Sequence, residues 1–307
     1  MRWRKHGVVW QPDGSAWWAR SHATCPTPLR LNEDTVRVYV QCRDQHGVGR
    51  VGYVDLDAAD PRRVVGSSAE PVFDIGQPGT FDDNGVFQAS IIRAGDGRIL
   101  MYYVGFELCH HIRYRLLTGL AISEDGGESF YRARTTPILE RSPQELHFRC
   151  GPWVMAEDGR FRMWYVAGSS WEVIDGKSMP IYDLRYMESG DGLQWQAEGL
   201  VVMPVEMQYE HGFGRPVVLK RGNQYRMHYS IRRREPLRYA MGFAVSDDGR
   251  RWVRRDHELG IDVSASGWDS ESVEYGVEIE LAGRTWLLYN GNDFGATGFG
   301  IAELVEP

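Results

Sequence analysis

The chain has 307 residues, a formal net charge of −7, 42% hydrophobic residues and eleven tryptophans. An acidic balance excludes the broadly basic face that a phosphate backbone requires, so no nucleic-acid partner is expected. No apolar run reaches the length of a membrane span, and the N-terminus MRWRKHGVVW lacks an apolar stretch of signal-peptide length; no membrane partner and a cytoplasmic location are expected.

In chain order, KHGVVWQP at 5–12 reads as a lone strand. CPTPLRL from Cys25 and EDTVRVYVQCR at 33–43 open a first unit, with an outer strand expected at AEPVFDIG, near 69–76. GVFQASII from Gly85 and DGRILMYYVGF at 96–106 open a second, followed by the turn SEDGGESF and an outer strand TTPILERS near 135–142. The third runs from GPWVMA at Gly151 through DGRFRMWYVAG, the turn ESGDGLQW and AEGLVVMP near 197–204. The fourth comprises RPVVLK from Arg215, GNQYRMHYSIR, the turn VSDDGRRW and HELGIDV near 257–263. YGVEIEL from Tyr275, GRTWLLYNGND and GFGIAEL form a fifth, which has no room for an outer strand of its own.

A repeat of roughly sixty residues built from short alternating strands and Asp-Gly turns predicts an all-β fold, a five-bladed β-propeller. The N-terminal strand is expected to close the last blade, removing its exposed edge. Residues 1–307 then form a single domain. The four cysteines, Cys25, Cys42, Cys109 and Cys150, are widely spaced and expected to be free thiols.

In a propeller the innermost strands start around one end of the axis. Aligning the five units places His22, Asp82, His147, His211 and Glu271 in one ring, with Cys25, Gly85, Cys150, Gly214 and Glu274 in the next. Asp82, Asp83, Glu210, Glu271 and Glu274, together with Asp269, supply carboxyls for acid/base chemistry. His22, His147 and His211 with a carboxylate would suit a divalent metal, Zn, Fe or Mn. Arg149 and Arg215 could fork onto an anionic group. Trp18, Trp153 and Trp268 are the foremost of several aromatics placed to stack on a sugar ring. Segments 107–117, which holds Cys109, His110 and His111, and 169–183 are insertions expected to overhang the funnel, and IRRREPLR at 231–238 is expected to be a solvated loop.

The repeat layout, the inner-strand motifs CPTP, CGPW and GRPVV, and the turn Ser/Glu-x-Asp-Gly-x-x-Trp/Phe resemble the five-bladed glycoside hydrolase propellers of families 43, 32 and 130. The resemblance implies an Asp-Pro general base in the first blade and a Glu-Gly-Pro general acid in the third. The matching positions here read Cys25-Pro26 and Cys150-Gly151-Pro152. Both implied carboxylates are therefore cysteines, and an acid/base pair has to come from other blades. The leading expectation is a carbohydrate-active enzyme that hydrolyses or otherwise processes a glycoside or sugar conjugate in the axial funnel. The alternatives are a metal-dependent enzyme of another reaction class on the same scaffold and a non-catalytic glycan-binding propeller.

Overall fold

The computed structural model describes residues 1–306, and the chain is almost entirely β-strand. After β1 (Arg2–Trp10), the strands fall into consecutive antiparallel units. The first holds β2 (Ser21–Arg30), β3 (Thr35–Arg43), β4 (Gly49–Asp57) and β5 (Val64–Ser67). The second holds β6 (Val86–Arg93), β7 (Ile99–Leu108), β8 (Tyr114–Ser123) and β9 (Tyr131–Arg132). The third holds β10 (Phe148–Glu157), β11 (Arg160–Ile174), β12 (Lys177–Ser189) and β13 (Leu200–Met203). The fourth holds β14 (Glu210–Arg221), β15 (Gln224–Arg233), β16 (Tyr239–Ser246) and β17 (Val253–Arg254). The fifth holds β18 (Glu274–Leu281), β19 (Arg284–Asn290) and β20 (Phe299–Glu306), and β1 pairs antiparallel with β20 from Arg2↔Glu306 to Trp10↔Phe299. The N-terminal strand thus joins the last unit, as its sequence predicts.

The apolar residues explain the packing. Second strands such as TVRVYVQCR are buried on both faces, as sheets stacked against neighbours require. The buried clusters lie at the seams between units: Tyr39 and Phe73 with Phe81 and Tyr103, Tyr102 with Tyr165, Trp164 with Tyr225, and Phe243 with Tyr289. A further cluster joins the fifth unit to the first, with Leu288 and Phe299 against Val38 and Trp18. The innermost strands also touch in a cycle, β2 with β6, β6 with β10, β10 with β14, β14 with β18 and β18 with β2.

Two repeated polar devices fix the units to one another. In the Asp-Gly turns a carboxylate accepts consecutive backbone N–H groups, as Asp191 does from Leu193 (2.9 Å) and Gln194 (2.8 Å) and Asp248 from Arg250 and Arg251 (both 2.8 Å). The glycine carbonyl of each turn then accepts a hydrogen bond from an aromatic of the preceding unit: Gly127 from Tyr39 (3.1 Å), Gly192 from Tyr102 (3.1 Å) and Gly249 from Trp164 (2.7 Å). Gly192 has φ +73°, and a Cβ there would sit 2.6 Å from the Tyr102 hydroxyl, so both conformation and space demand glycine.

The second device is an acid, buried in three cases and partly buried at Asp256, held by a tyrosine and a cation. Tyr103 donates to Asp82 (2.9 Å), Tyr165 to Glu145 (2.9 Å), Tyr229 to Asp256 (2.6 Å) and Tyr289 to Asp269 (3.0 Å). The counter-charges are Arg132, Arg149 with Arg185, Arg254 and Lys5 respectively.

The outer strands depart from the sequence reading. Only β13 falls where one is expected; β5, β9 and β17 lie earlier in the chain. Segments 69–76 and 135–142 keep single bridges, Val51↔Phe73 and Thr118↔Leu139, and 257–263 begins inside the 3-10 turn Asp256–Glu258. Pro71 and Pro137 have no N–H for a ladder, and the apolar residues that suggested strands, Val72, Phe73, Ile138 and Leu139, are buried as seam packing instead.

Candidate active site

Each inner strand carries a bulge against its neighbour. The register jumps at Cys25-Pro26 in β2, Ala89 in β6, Gly151-Pro152 in β10, Arg215-Pro216 in β14 and Tyr275-Gly276 in β18. Cys25, Gly151 and Tyr275 take positive φ there (56°, 58° and 55°). The residues just ahead of the bulges, Thr24, Gln88, Cys150, Gly214 and Glu274, are therefore equivalent. The sequence alignment holds in three units, slips by one residue in the first and by three in the second, because the bulge is a feature of pairing that residue spacing does not reveal.

Glu274 is the carboxyl of that set. It is 1% exposed; its Oε1 accepts the Phe294 N–H (3.0 Å) and lies 3.5 Å from the Ser272 hydroxyl, while Oε2 is buried with no partner among the described residues. Burial pushes its carboxyl up to about 8, against the bonds from Phe294 and Ser272 that favour the charged form. The short helical turn α1 (Asn292–Gly295) sets this geometry. Asp293 and Phe294 are left-handed (φ 51° and 59°), and the Asn292 side chain accepts the backbone N–H groups of Glu271 (2.7 Å) and Ser272 (3.1 Å). Asp293 precedes the residue whose N–H holds Glu274, so the turn carries one carboxyl and fixes the other, which β18 supplies.

These groups line a cavity of about 630 Å3 with Glu271, His211, Tyr239, Arg232, Arg238, Arg113 and Lys177. Four units contribute. The segments expected to overhang the funnel are ordered extensions of the β7–β8 and β11–β12 hairpins, and they supply Arg113 and Lys177. The basic run at 231–238, expected to be a solvated loop, instead gives Arg232 and Arg238 to the wall. His211 is buried with Nδ1 3.3 Å from the Pro180 carbonyl; burial, then Arg232, lowers its pKa to about 4, leaving it neutral at physiological pH.

Of the residues singled out in the sequence, the cavity brings together His211, Glu271 and Glu274. Asp82 lies in the clasp with Tyr103 and Arg132 (2.7 Å), and Glu210 receives both Nη atoms of Arg254 (2.9 and 3.1 Å). Asp83 accepts the Gly79 N–H (2.8 Å). Arg149 is tied to Glu145 and to the Glu140 carbonyl, and Arg215 spans the inner strands, bonding the carbonyls of Ala89 and Pro26 (both 3.1 Å) and the Thr27 hydroxyl (2.9 Å). Trp18 and Trp153 bond the carbonyls of Ala69 and Val218 within the packed sheets, and Trp268 packs on Tyr289 at 4.9 Å.

His22 has a buried, unpartnered Nε2; burial, then Arg43, lowers its pKa to about 4, with Asp293 opposing. His147 is lowered by burial and by Arg115 and Arg141. Among the described residues, no three His, Cys, Asp or Glu side chains converge as a metal site requires. All four cysteines are free, and burial pushes the Cys25 thiol up to about 12. Asp293 and the four cavity cations escaped the sequence reading. The signals for them were GND at 291–293, where the strand pattern breaks, and the Arg run itself.

No protein-family model matches the chain. A Mycobacterium tuberculosis protein, "Uncharacterized protein Rv1502", is 36% identical over 307 residues, covering 99% of both chains. The chain belongs to the Rv1502 family. Solved structures add the architecture of that family. One described as "Glycoside hydrolase" matches with a TM-score of 0.73 and 21% identity over 99% of this chain and 91% of its own. A thermostable family-43 glycoside hydrolase matches with a TM-score of 0.66 and 16% identity over 94% and 91%. A structure from the GH130 family of mannoside phosphorylases matches with a TM-score of 0.68 and 14% identity over 98% and 93%. At these identities the likeness shows the fold alone, and this member of the Rv1502 family has a glycoside hydrolase-like fold.

Proposed function

We propose that the chain is a closed five-bladed propeller, and that it hydrolyses a glycoside or sugar conjugate in the cavity bordered by β14, β18 and α1. The observation that carries this reading is Glu274: a buried carboxyl with one oxygen unpartnered among the described residues, lining the cavity and held toward its neutral form, with a second carboxyl, Asp293, on the turn that holds it. Glycoside hydrolysis needs such a split pair, one acid to protonate the leaving oxygen and one carboxylate to activate water or attack the anomeric carbon.

Glu274 is the proton donor in this scheme and Asp293 the second carboxylate, with Glu271 at the rim. Tyr239 and Phe294 offer ring faces to a sugar, and neutral His211 can bond a hydroxyl. Cys25 and Cys150, at the positions where the resemblance to family 43 implies carboxylates, are buried thiols without a role in proton transfer. The likeness to glycoside hydrolase structures supports the substrate class, and a move of the acid from the third unit and of the base from the first, both to the fifth, accounts for the two cysteines.

The test is turnover of a panel of aryl glycosides by the wild type, Glu274→Gln and Asp293→Asn. Both variants should fold normally and lose at least about 100-fold in kcat. Cleavage that persists at wild-type rate in both would sink the assignment, and the anomer of the first product distinguishes inversion from retention.

A further inference from the structure

Four cations line the cavity, Arg113, Lys177, Arg232 and Arg238, and none lies within ion-pair distance of a carboxylate among the described residues. Elsewhere the chain pairs its arginines extensively, as with Arg37, Arg132, Arg149 and Arg254. Arg232 is the most telling. It is 5% exposed; among the described residues its side chain makes one hydrogen bond, from Nη1 to the Pro180 carbonyl (3.2 Å), and its buried Nε finds no partner. The rings of Tyr182 and Tyr239 flank its guanidinium at 4.7 and 5.7 Å.

A guanidinium withdrawn from water without a counter-ion is unfavourable unless something else supplies the charge. Tyrosine faces and one carbonyl stabilise it in part. They leave the rest of its donors without partners among the described residues, on a side chain that lines the cavity and whose fork matches a carboxylate or phosphate. Arg238, whose Nε is also buried and unpartnered, and Arg113 and Lys177 sit on the same wall. The opposing acids are Glu271, Asp293 and Glu274, and burial holds Glu274 toward its neutral form. The cavity of this acidic protein is therefore cationic.

We infer that this site selects a sugar carrying an anionic group, a carboxylate or a phosphate, with Arg232 as the buried anchor and Arg238, Arg113 and Lys177 around it. The inference names the substrate class for the hydrolytic site proposed above, but it concerns binding and can be tested without turnover.

The experiment is calorimetric titration of the full-length protein with glucuronate, galacturonate, glucose 6-phosphate and mannose 6-phosphate, each beside its neutral parent sugar. At least one charged member should bind at least about tenfold more tightly than its parent, and the difference should shrink with added salt. Uronates or phosphosugars leading the series tells which anion is read. Arg232→Gln should abolish the difference; if that variant does not fold, Arg238→Gln should reduce it several-fold. Equal binding, or no binding, of charged and neutral sugars across the whole series would overturn the inference. Turnover of neutral glycosides without anion preference would leave the hydrolase standing and this proposal fallen; anion-dependent binding without any glycoside turnover would do the reverse.

Discussion

At the scale of the residue, burial decides which carboxyl can act as an acid. Glu271 and Glu274 are three residues apart, yet the first is exposed and the second fully enclosed. Enclosure, with a smaller push from the charge of Asp293, raises the Glu274 carboxyl to about 8. That shift has a sign for stability as well. An unfolded glutamate releases its proton near its ordinary value of 4.5, whereas folded Glu274 keeps it until about 8. The stability it contributes is full below pH 4.5 and is lost as pH rises to 8. Glu274→Gln, permanently neutral, should therefore raise the melting temperature relative to wild type at pH 8 and bring the two together near pH 4, as thermal unfolding across that range will read. In activity, the wild type should decline above pH 8 as the donor ionises. A wild-type profile flat from pH 6 to pH 10 contradicts the donor role.

At the scale of the element, the sequence repeat encodes more than strands. The tyrosine that recurs in each second strand, at 39, 103, 165, 229 and 289, is a clasp residue whose hydroxyl reaches a carboxylate in four of the five units, a buried one in three of them. Glu145 carries the heaviest load: Tyr165, Arg149, Arg185 (3.1 Å) and the Gly199 N–H (2.9 Å). Replacing it by Gln leaves the buried Arg149 without a carboxylate and Arg185 with Asp183 alone, at a cost of about 3–5 kcal/mol. Urea unfolding of Glu145→Gln should show this as a lowered midpoint with little change in slope; a change below about 1 kcal/mol would mean that the clasp is solvated. Asp82 and Glu210 are tied in the same way: their partners, Arg132 and Arg254, come from later strands that spacing cannot bring into view.

At the scale of the whole molecule, the ends of the chain are structural. β1 covers the free edge of β20, Trp3 donates to the Leu259 carbonyl (2.7 Å), and Lys5 supplies the cation for Asp269 (2.6 Å). Removing residues 1–10 should therefore cost both stability and solubility, because an unpaired strand edge is a template for association. Thermal unfolding and light scattering should show a melting temperature lower by several degrees and concentration-dependent aggregation. A truncated protein that melts with the wild type and stays monodisperse would show that the edge needs no cover.

The repeat by itself determined the fold class, the second strand of every unit, the Asp-Gly turns and the pairing of the first strand with the last unit. All of these rest on local alternation and turn chemistry, which residue spacing records directly. Glu274, Glu271 and His211 were legible because the inner-strand alignment holds in the fourth and fifth units. Only the tertiary structure decided the rest: the bulges that shift the register in the first two units, the burial that separates Glu274 from Glu271, the turn that sets Asp293 beside it, and the cations from three units that share one cavity. Burial and charge pairing are sums over neighbours distant in sequence, and those neighbours exist only once the sheets have packed around a common centre.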